Sequence, residues 1–152
     1  MENIVIEKSF VVPIWDELVK QKAITYWQRK RFKFTQTSGD TLFAKRGRWL
    51  GNMISADLTY MKAELSIKTA SNAISCVMEV NTRFQKISEW DLMWWRLEMK
   101  TFESFLLQDD EQPELWNQFK KDHKNVVLAY GFSGGKDTSL LKMAPEDKAR
   151  YE

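Results

Sequence analysis

Two stretches of this chain hold residue types at spacings that can do chemistry. Ser133-Gly134-Gly135-Lys136-Asp137-Thr138 places paired glycines between a hydroxyl and a lysine. Glycines let main-chain N–H groups approach a phosphate closely, and a neighbouring lysine adds positive charge, so the pattern suits a phosphate cradle. The second stretch is basic: Arg29, Lys30, Arg31 and Lys33, then Lys45, Arg46 and Arg48, interleaved with Phe32, Phe34 and Trp49. From Lys20 to Leu50 there are nine Lys or Arg against Asp40 alone. Gathered across a hairpin, these would meet nucleic-acid phosphates or an anionic lipid surface.

The net charge of +2 hides an opposite segment, since Ser88 to Asp122 carries nine acids and four bases. The basic residues therefore equally suit a solvated sheet end or the complement of the acidic half, in this molecule or a second copy. No Gly-Phe-type ribonucleoprotein motif accompanies them, and nucleic-acid binding is not the expectation.

Enzymatic constellations are sparse. His123 is the only histidine, so one chain cannot assemble a multi-histidine or conventional zinc site, and Lys121-Asp122-His123-Lys124 reads as exposed tail. The single Cys76 excludes an intramolecular disulfide and reads as a buried thiol of a reducing compartment. As a nucleophile it would need a lowered pKa and a route in. Glu98 and Glu103, or Asp109 and Asp110, do not converge as a dyad, and Asp91 and Glu98 share a helix side that reads as solvated. No catalytic residue, metal or cofactor is expected, and the chain reads as non-enzymatic.

The segment Ser88 to Gln108 has two apolar faces. Trp90, Met93, Trp94, Leu97 and Phe105 fall on one side of a helix. Leu92, Trp95, Met99, Phe102 and Leu106 form a second stripe, spaced 3, 4, 3 and 4 residues apart. A helix on the edge of a small domain needs one such face. Burying the second yields about 1.5–3 kcal/mol per large side chain, so something must cover it. The candidates are Leu115, Trp116 and Phe119 or the first helix, a second copy, a partner protein, or an apolar ligand. The functional expectation is a binding module that self-associates or docks a partner through this stripe, with a small apolar-ligand carrier as the alternative and phosphate or nucleic-acid binding through the 29–48 basic patch as a further, weaker one.

The elements that position these residues follow from periodicity. Asn3–Phe10 alternates as a strand, Pro13 opens a helix running to about Arg29, and Phe32–Thr35 and Thr41–Arg48 are strands around the Ser38-Gly39-Asp40 turn. Gly51-Asn52 breaks the pattern, a strand from Ala56 to Thr69 follows, and Ser71-Asn72 turns into Ala73–Phe84. Ser88 with Asp91 makes an acidic capping box for the two-faced helix, which should end near Leu107 because Asp109, Asp110 and Glu111 oppose its dipole. The fold class is α+β: a five-stranded antiparallel sheet in the order β-α-β-β-β-β-α, covered on one face. Residues 1–108 form the domain; 109–152 form a tail with a short amphipathic helix over 114–120, an extended segment at Val126–Tyr130 and a flexible end.

Two resemblances attach to these patterns. The element order from Asn3 to Leu107, with the Pro13-Ile14-Trp15 helix start and the long closing helix, is similar to the helix-grip arrangement of START-like and polyketide-cyclase-like proteins. That resemblance implies a hydrophobic pocket between helix and sheet. Ser133–Thr138 resembles the PP-loop of ATP pyrophosphatases, in which Ser-Gly-Gly-x-Asp-Ser follows a buried strand and opens a helix. Val126–Tyr130 stands for that strand and Leu140–Met143 for that helix, which implies ATP phosphates held by Ser133, Gly134, Gly135, Lys136 and Asp137. The elements before it read as antiparallel and supply no parallel sheet, so a turn in a solvated tail is the expectation.

At 152 residues with 43% hydrophobic composition the chain can bury a core, and 7 Trp and 9 Phe exclude wholesale disorder. No stretch reaches the roughly 20 apolar residues of a membrane span, and the first ten residues lack a signal-peptide pattern, so a cytoplasmic location is expected.

Overall fold

Alternation of apolar and polar residues sets the sheet. The computed structural model describes residues 3–48, 58–83, 85–135 and 137–152. Within them, β1 (Asn3–Val11), β2 (Lys33–Gln36), β3 (Thr41–Arg46), β4 (Ala63–Ala70) and β5 (Ala73–Asn81) form one antiparallel sheet in the order β1-β5-β4-β3-β2. Ile6 opposes Met78, Leu65 opposes Met78 and Leu42 opposes Ile67, so apolar side chains line up on one face. The other face carries Val5, Glu7, Lys45, Glu64 and Glu79 toward solvent. The α+β class and the element order are those the sequence predicts.

Four α-helices occur among the described residues: α1 (Glu17–Arg29), α2 (Glu89–Gln108), α3 (Pro113–Phe132) and α4 (Pro145–Tyr151). Helix α1 starts later than Pro13 implies, because the Asp16 carboxylate accepts from Val19 N–H at 2.9 Å and caps the first turn there. Helix α2 opens on the expected box, with Ser88 and Asp91 bonded reciprocally, and closes on Asp109 at φ 54°. Strand β3 stops at Gly47, whose φ of 72° and contact with the Met61 carbonyl leave no room for a Cβ. Strand β4 begins at Ala63, after a 3-10 turn at Leu58–Tyr60. The Gly51-Asn52 break, the Ala56 strand start, Trp49 and Phe84 lie outside the described residues.

The tail departs most from expectation. Val126–Tyr130 is helical, part of a 20-residue α3, and residues 145–151 form α4 with Tyr151 buried. Trp116, Phe119 and His123 are buried along α3, and Val126 and Tyr130 continue the same 3-4-3-4 spacing. That helical period outweighs the β-branched pair at Val126-Val127.

Helix α2 consequently lies in the middle of three layers. Phe102 meets Phe10 of β1 at 5.8 Å between ring centres and Trp27 of α1 at 5.1 Å. On the opposite side Trp94 meets Trp116 of α3 at 5.8 Å, and Trp90 meets Phe119 at 6.0 Å.

Candidate functional site

The second stripe of α2 is interior. Trp95, Met99, Phe102 and Leu106 are buried, Leu92 is half-buried, and Phe102 sits among Phe10, Tyr26 and Trp27. These side chains face the sheet and α1, while α3 and α4 cover Trp90 and Trp94. The expectation of an open interface or ligand face at these five residues is corrected by that packing: each stripe has a cover within the chain. The space between α2 and the sheet, where the helix-grip resemblance implies a pocket, is occupied by Trp27, Trp95 and Phe102, each 0% exposed.

The basic patch is dismantled by its own strand register. Leu42, Ala44 and Arg46 share the inner face of β3, so the Arg46 guanidinium enters the core. There it forks onto Glu98 with both bonds at 2.7 Å, donates to the Lys30 carbonyl at 3.0 Å and lies 4.5 Å from the Phe32 ring centre. Both charged side chains are 0% exposed. Arg29 forks onto Glu111 of the segment before α3, and Lys45 reaches Glu64 at 3.7 Å across the sheet. Lys30 lies 4.1 Å from the Trp116 ring centre, and burial pushes its ammonium below the ordinary lysine range. Arg31 stacks over Tyr60; Arg31, Lys33 and Arg48 remain exposed. The patch therefore does not form as one surface.

The glycine motif is a helix terminus. Gly135 N–H donates to Tyr130 carbonyl at 2.9 Å and Ser133 Oγ donates to the same carbonyl at 2.9 Å, closing the last turn of α3. Gly134 takes φ 86°, and a Cβ on Gly135 would enter the Tyr130 ring. Asp137 accepts from Ser139 N–H and Oγ, bonds that hold its carboxyl below the usual range, and Tyr130 Oη donates to the Asp137 carbonyl. Lys136 lies outside the described residues. A phosphate loop needs the positive end of a helix; this segment follows the negative end of α3. The cradle is corrected to a C-terminal cap.

His123, expected in an exposed tail, is buried on α3, with Nε2 2.8 Å from an Asp91 oxygen and its ring against Trp94 and Phe119. Cys76 is fully buried in β5 and burial pushes its thiol up, which makes it inert toward electrophiles. Glu98 and Asp91 are likewise buried and partnered instead of solvated. Among the described residues no three His, Cys, Asp or Glu side chains cluster to hold a metal, and no helix is long and apolar enough to cross a membrane.

One surface feature combines shape with unpaired polar groups. A groove of about 690 Å³ runs between β1 and α2, lined by Val5, Ile6 and Glu7 on the strand and Met93, Arg96 and Lys100 on the helix. Strand β1 is a sheet edge. Val12 N–H donates to Asn72 carbonyl at 3.0 Å, in the register that pairs Phe10 with Ile74 and Ile6 with Met78. Antiparallel ladders alternate the direction of their main-chain groups, so even-numbered residues of β1 bond β5 and odd-numbered ones face outward. The N–H and C=O of Val5, Glu7 and Ser9 therefore lie on the free edge, with no partner among the described residues. Lys8 points from this strand toward α2 and meets Glu103 at 3.1 Å. The sequence marks β1 as a strand but carries no sign that it is an edge, because strand order is set by long-range pairing.

Neither protein-family models, characterised proteins nor solved structures yield a match to this chain.

Proposed function

We propose that this protein is a non-enzymatic docking module that takes an extended peptide segment onto the free edge of β1, in the groove beside α2. The supporting observation is the row of outward main-chain donors and acceptors at Val5, Glu7 and Ser9, of which Val5 and Glu7 line a groove walled by a helix. Strand addition of this kind draws affinity from main-chain hydrogen bonds and selectivity from alternate side chains that enter the groove. This reading moves the docking function from the second stripe of α2, which is spent on the core, to the side of α2 that borders this groove.

A second copy is the less suitable occupant. Full-length antiparallel pairing of β1 with itself centres on Glu7 and sets two carboxylates directly opposite, a destabilising arrangement. Lys8, a charge on the core-facing side of an edge strand, also guards against indiscriminate pairing.

The test is selection from a library of linear peptides against the wild-type chain, followed by titration into Glu7→Pro and Ser9→Pro. Proline at these positions removes an outward N–H that the sheet does not use. The reading expects peptides that bind wild type, lose at least tenfold in affinity on both variants, and protect the Val5, Glu7 and Ser9 amides from exchange. Peptides that bind both folded variants undiminished would overturn it.

A further inference from the structure

Helix α3 has an outward face that the core does not use. Trp116, Phe119 and His123 are spent on Trp94, Trp90 and Asp91 of α2. The side turned away from them carries Asn117, Lys121, Lys124, Leu128 and Phe132, spaced 4, 3, 4 and 4 residues apart. All five are exposed, Phe132 by 89% and Leu128 by 49%. Neither the Lys121 nor the Lys124 ammonium has an acid or a hydrogen-bond partner among the described residues. The one acid between Asn117 and Phe132 is Asp122, which is taken up by Tyr151 Oη at 2.5 Å and by Arg150 at 3.2 Å. Glu114, exposed at the first turn, lies about 27 Å from Phe132 along the axis at 1.5 Å per residue.

The helix end that carries Phe132 is already closed. The carbonyls of Ala129, Tyr130 and Gly131, three of the last four in α3, accept from the N–H groups of Ser133, Gly135 and Gly134 at 3.1, 2.9 and 3.1 Å. A helix end entering an apolar layer is penalised for each carbonyl left without a donor, and this one has few. Lys124 stands about 6 Å above Leu128 and about 12 Å above Phe132 along the axis. Helices bound at a membrane surface sink their apolar side chains about 5–10 Å into the headgroup boundary, with cations above them. Two side chains fall far short of the roughly 800 Å² that each partner buries in a standard protein interface, so a second copy or a folded partner matches this tip poorly. A bilayer asks for no matching shape.

We propose that the C-terminal end of α3 is a membrane-surface contact, in which Phe132 and Leu128 enter the headgroup region of an anionic phospholipid bilayer and Lys124 and Lys121 pair with its acidic groups. An apolar tip and adjacent cations are two signals that act together, which gives reversible attachment to anionic membranes. The contact shares no residue with the groove beside β1 and stands independently of strand addition.

The experiment uses the full chain, sedimented with vesicles of phosphatidylcholine alone or mixed with phosphatidylserine, at low and high salt. Binding to the mixed vesicles should exceed binding to phosphatidylcholine about tenfold, a margin that shrinks with salt. Phe132→Ser alters an exposed side chain and should lower binding about fivefold to tenfold. Lys121→Glu combined with Lys124→Glu should remove the preference for phosphatidylserine. Leu18→Ser, which replaces a 72% exposed leucine on α1, should change neither. Circular dichroism checks that each variant is folded. No sedimentation with mixed vesicles at low salt overturns the proposal. Binding that survives both the Phe132 and the lysine variants, or that Leu18→Ser weakens as much, places the contact elsewhere and overturns it too. Equal binding of wild type to both vesicle types overturns the anionic class. A wild-type dimer in analytical ultracentrifugation that Phe132→Ser converts to a monomer gives the tip to a second copy instead.

Discussion

Asp91 and His123 join the first turn of α2 to the middle of α3. One Asp91 oxygen lies 2.8 Å from His123 Nε2, and the other accepts the Ser88 N–H at 2.9 Å. A residue that caps its own helix thereby also clasps the neighbouring one, inside an aromatic wall of Trp94 and Phe119. His123→Ala leaves a buried carboxylate oxygen without this partner, a loss of about 1–3 kcal/mol. The expected outcome is a lower denaturation midpoint with faster amide exchange across residues 113–132 while the β-sheet amides keep their protection. Unchanged exchange in α3 would count against the clasp.

The Arg46–Glu98 fork predicts strong coupling. Glu98→Gln strands a guanidinium in the core and should cost about 3–5 kcal/mol. Arg46→Met together with Glu98→Leu removes both charges and should recover most of that loss. Chemical denaturation of the two singles and the double measures the difference, and additive losses would refute a desolvated pair.

Trp95 separates core from interface. Fully buried against the sheet side of α2, it should behave as a packing residue: Trp95→Ala costs about 3–5 kcal/mol and Trp95→Asp prevents folding. A folded monomer from Trp95→Asp, seen by circular dichroism and sedimentation, would return the stripe to the surface.

Acid should release the C-terminal segment. The Glu89 carboxylate accepts the Met143 N–H at 2.7 Å, with Lys148 at 3.6 Å and Lys142 at 4.0 Å, and the hydrogen bond first, then the lysines, hold its pKa below the ordinary glutamate value. A carboxyl lowered by folding contributes stability that is complete above its unfolded pKa and fades as pH falls through the folded one. The protection factor of the Met143 amide, its exchange corrected for the intrinsic slowing in acid, should therefore fall on acidification below the usual glutamate range, ahead of the core. Glu89→Gln should flatten that pH dependence.

Gly134, at φ 86°, closes α3 where a side chain is strained. Gly134→Ala should lower stability by about 1 kcal/mol. Retention on immobilised ATP should be nil for wild type and variant alike. Retention by wild type that the variant loses would reinstate a phosphate loop.

The sequence by itself determined the local elements. Period-two alternation specified each strand of the sheet, and Ser88 with Asp91 specified where α2 begins, because capping and side-chain facing depend on residues within one turn. It also determined that α2 must be covered on two sides. The tertiary structure decided what covers them: the sheet and α1 take Trp95 and Phe102, and α3 takes Trp90 and Trp94. Such matching is a contest between distant segments of similar hydrophobicity, which composition does not rank. The Trp116, Phe119, His123, Val126, Tyr130 spacing was present in the sequence as the signal for α3, masked by a short β-branched run. Arg46 could have been placed in the core from its parity with Leu42 and Ala44, but its carboxylate partner, 52 residues away on α2, emerges only on folding. The same holds for the β1 edge: pairing with β5 leaves one row of main-chain groups unbonded, and no residue in β1 announces which side that will be.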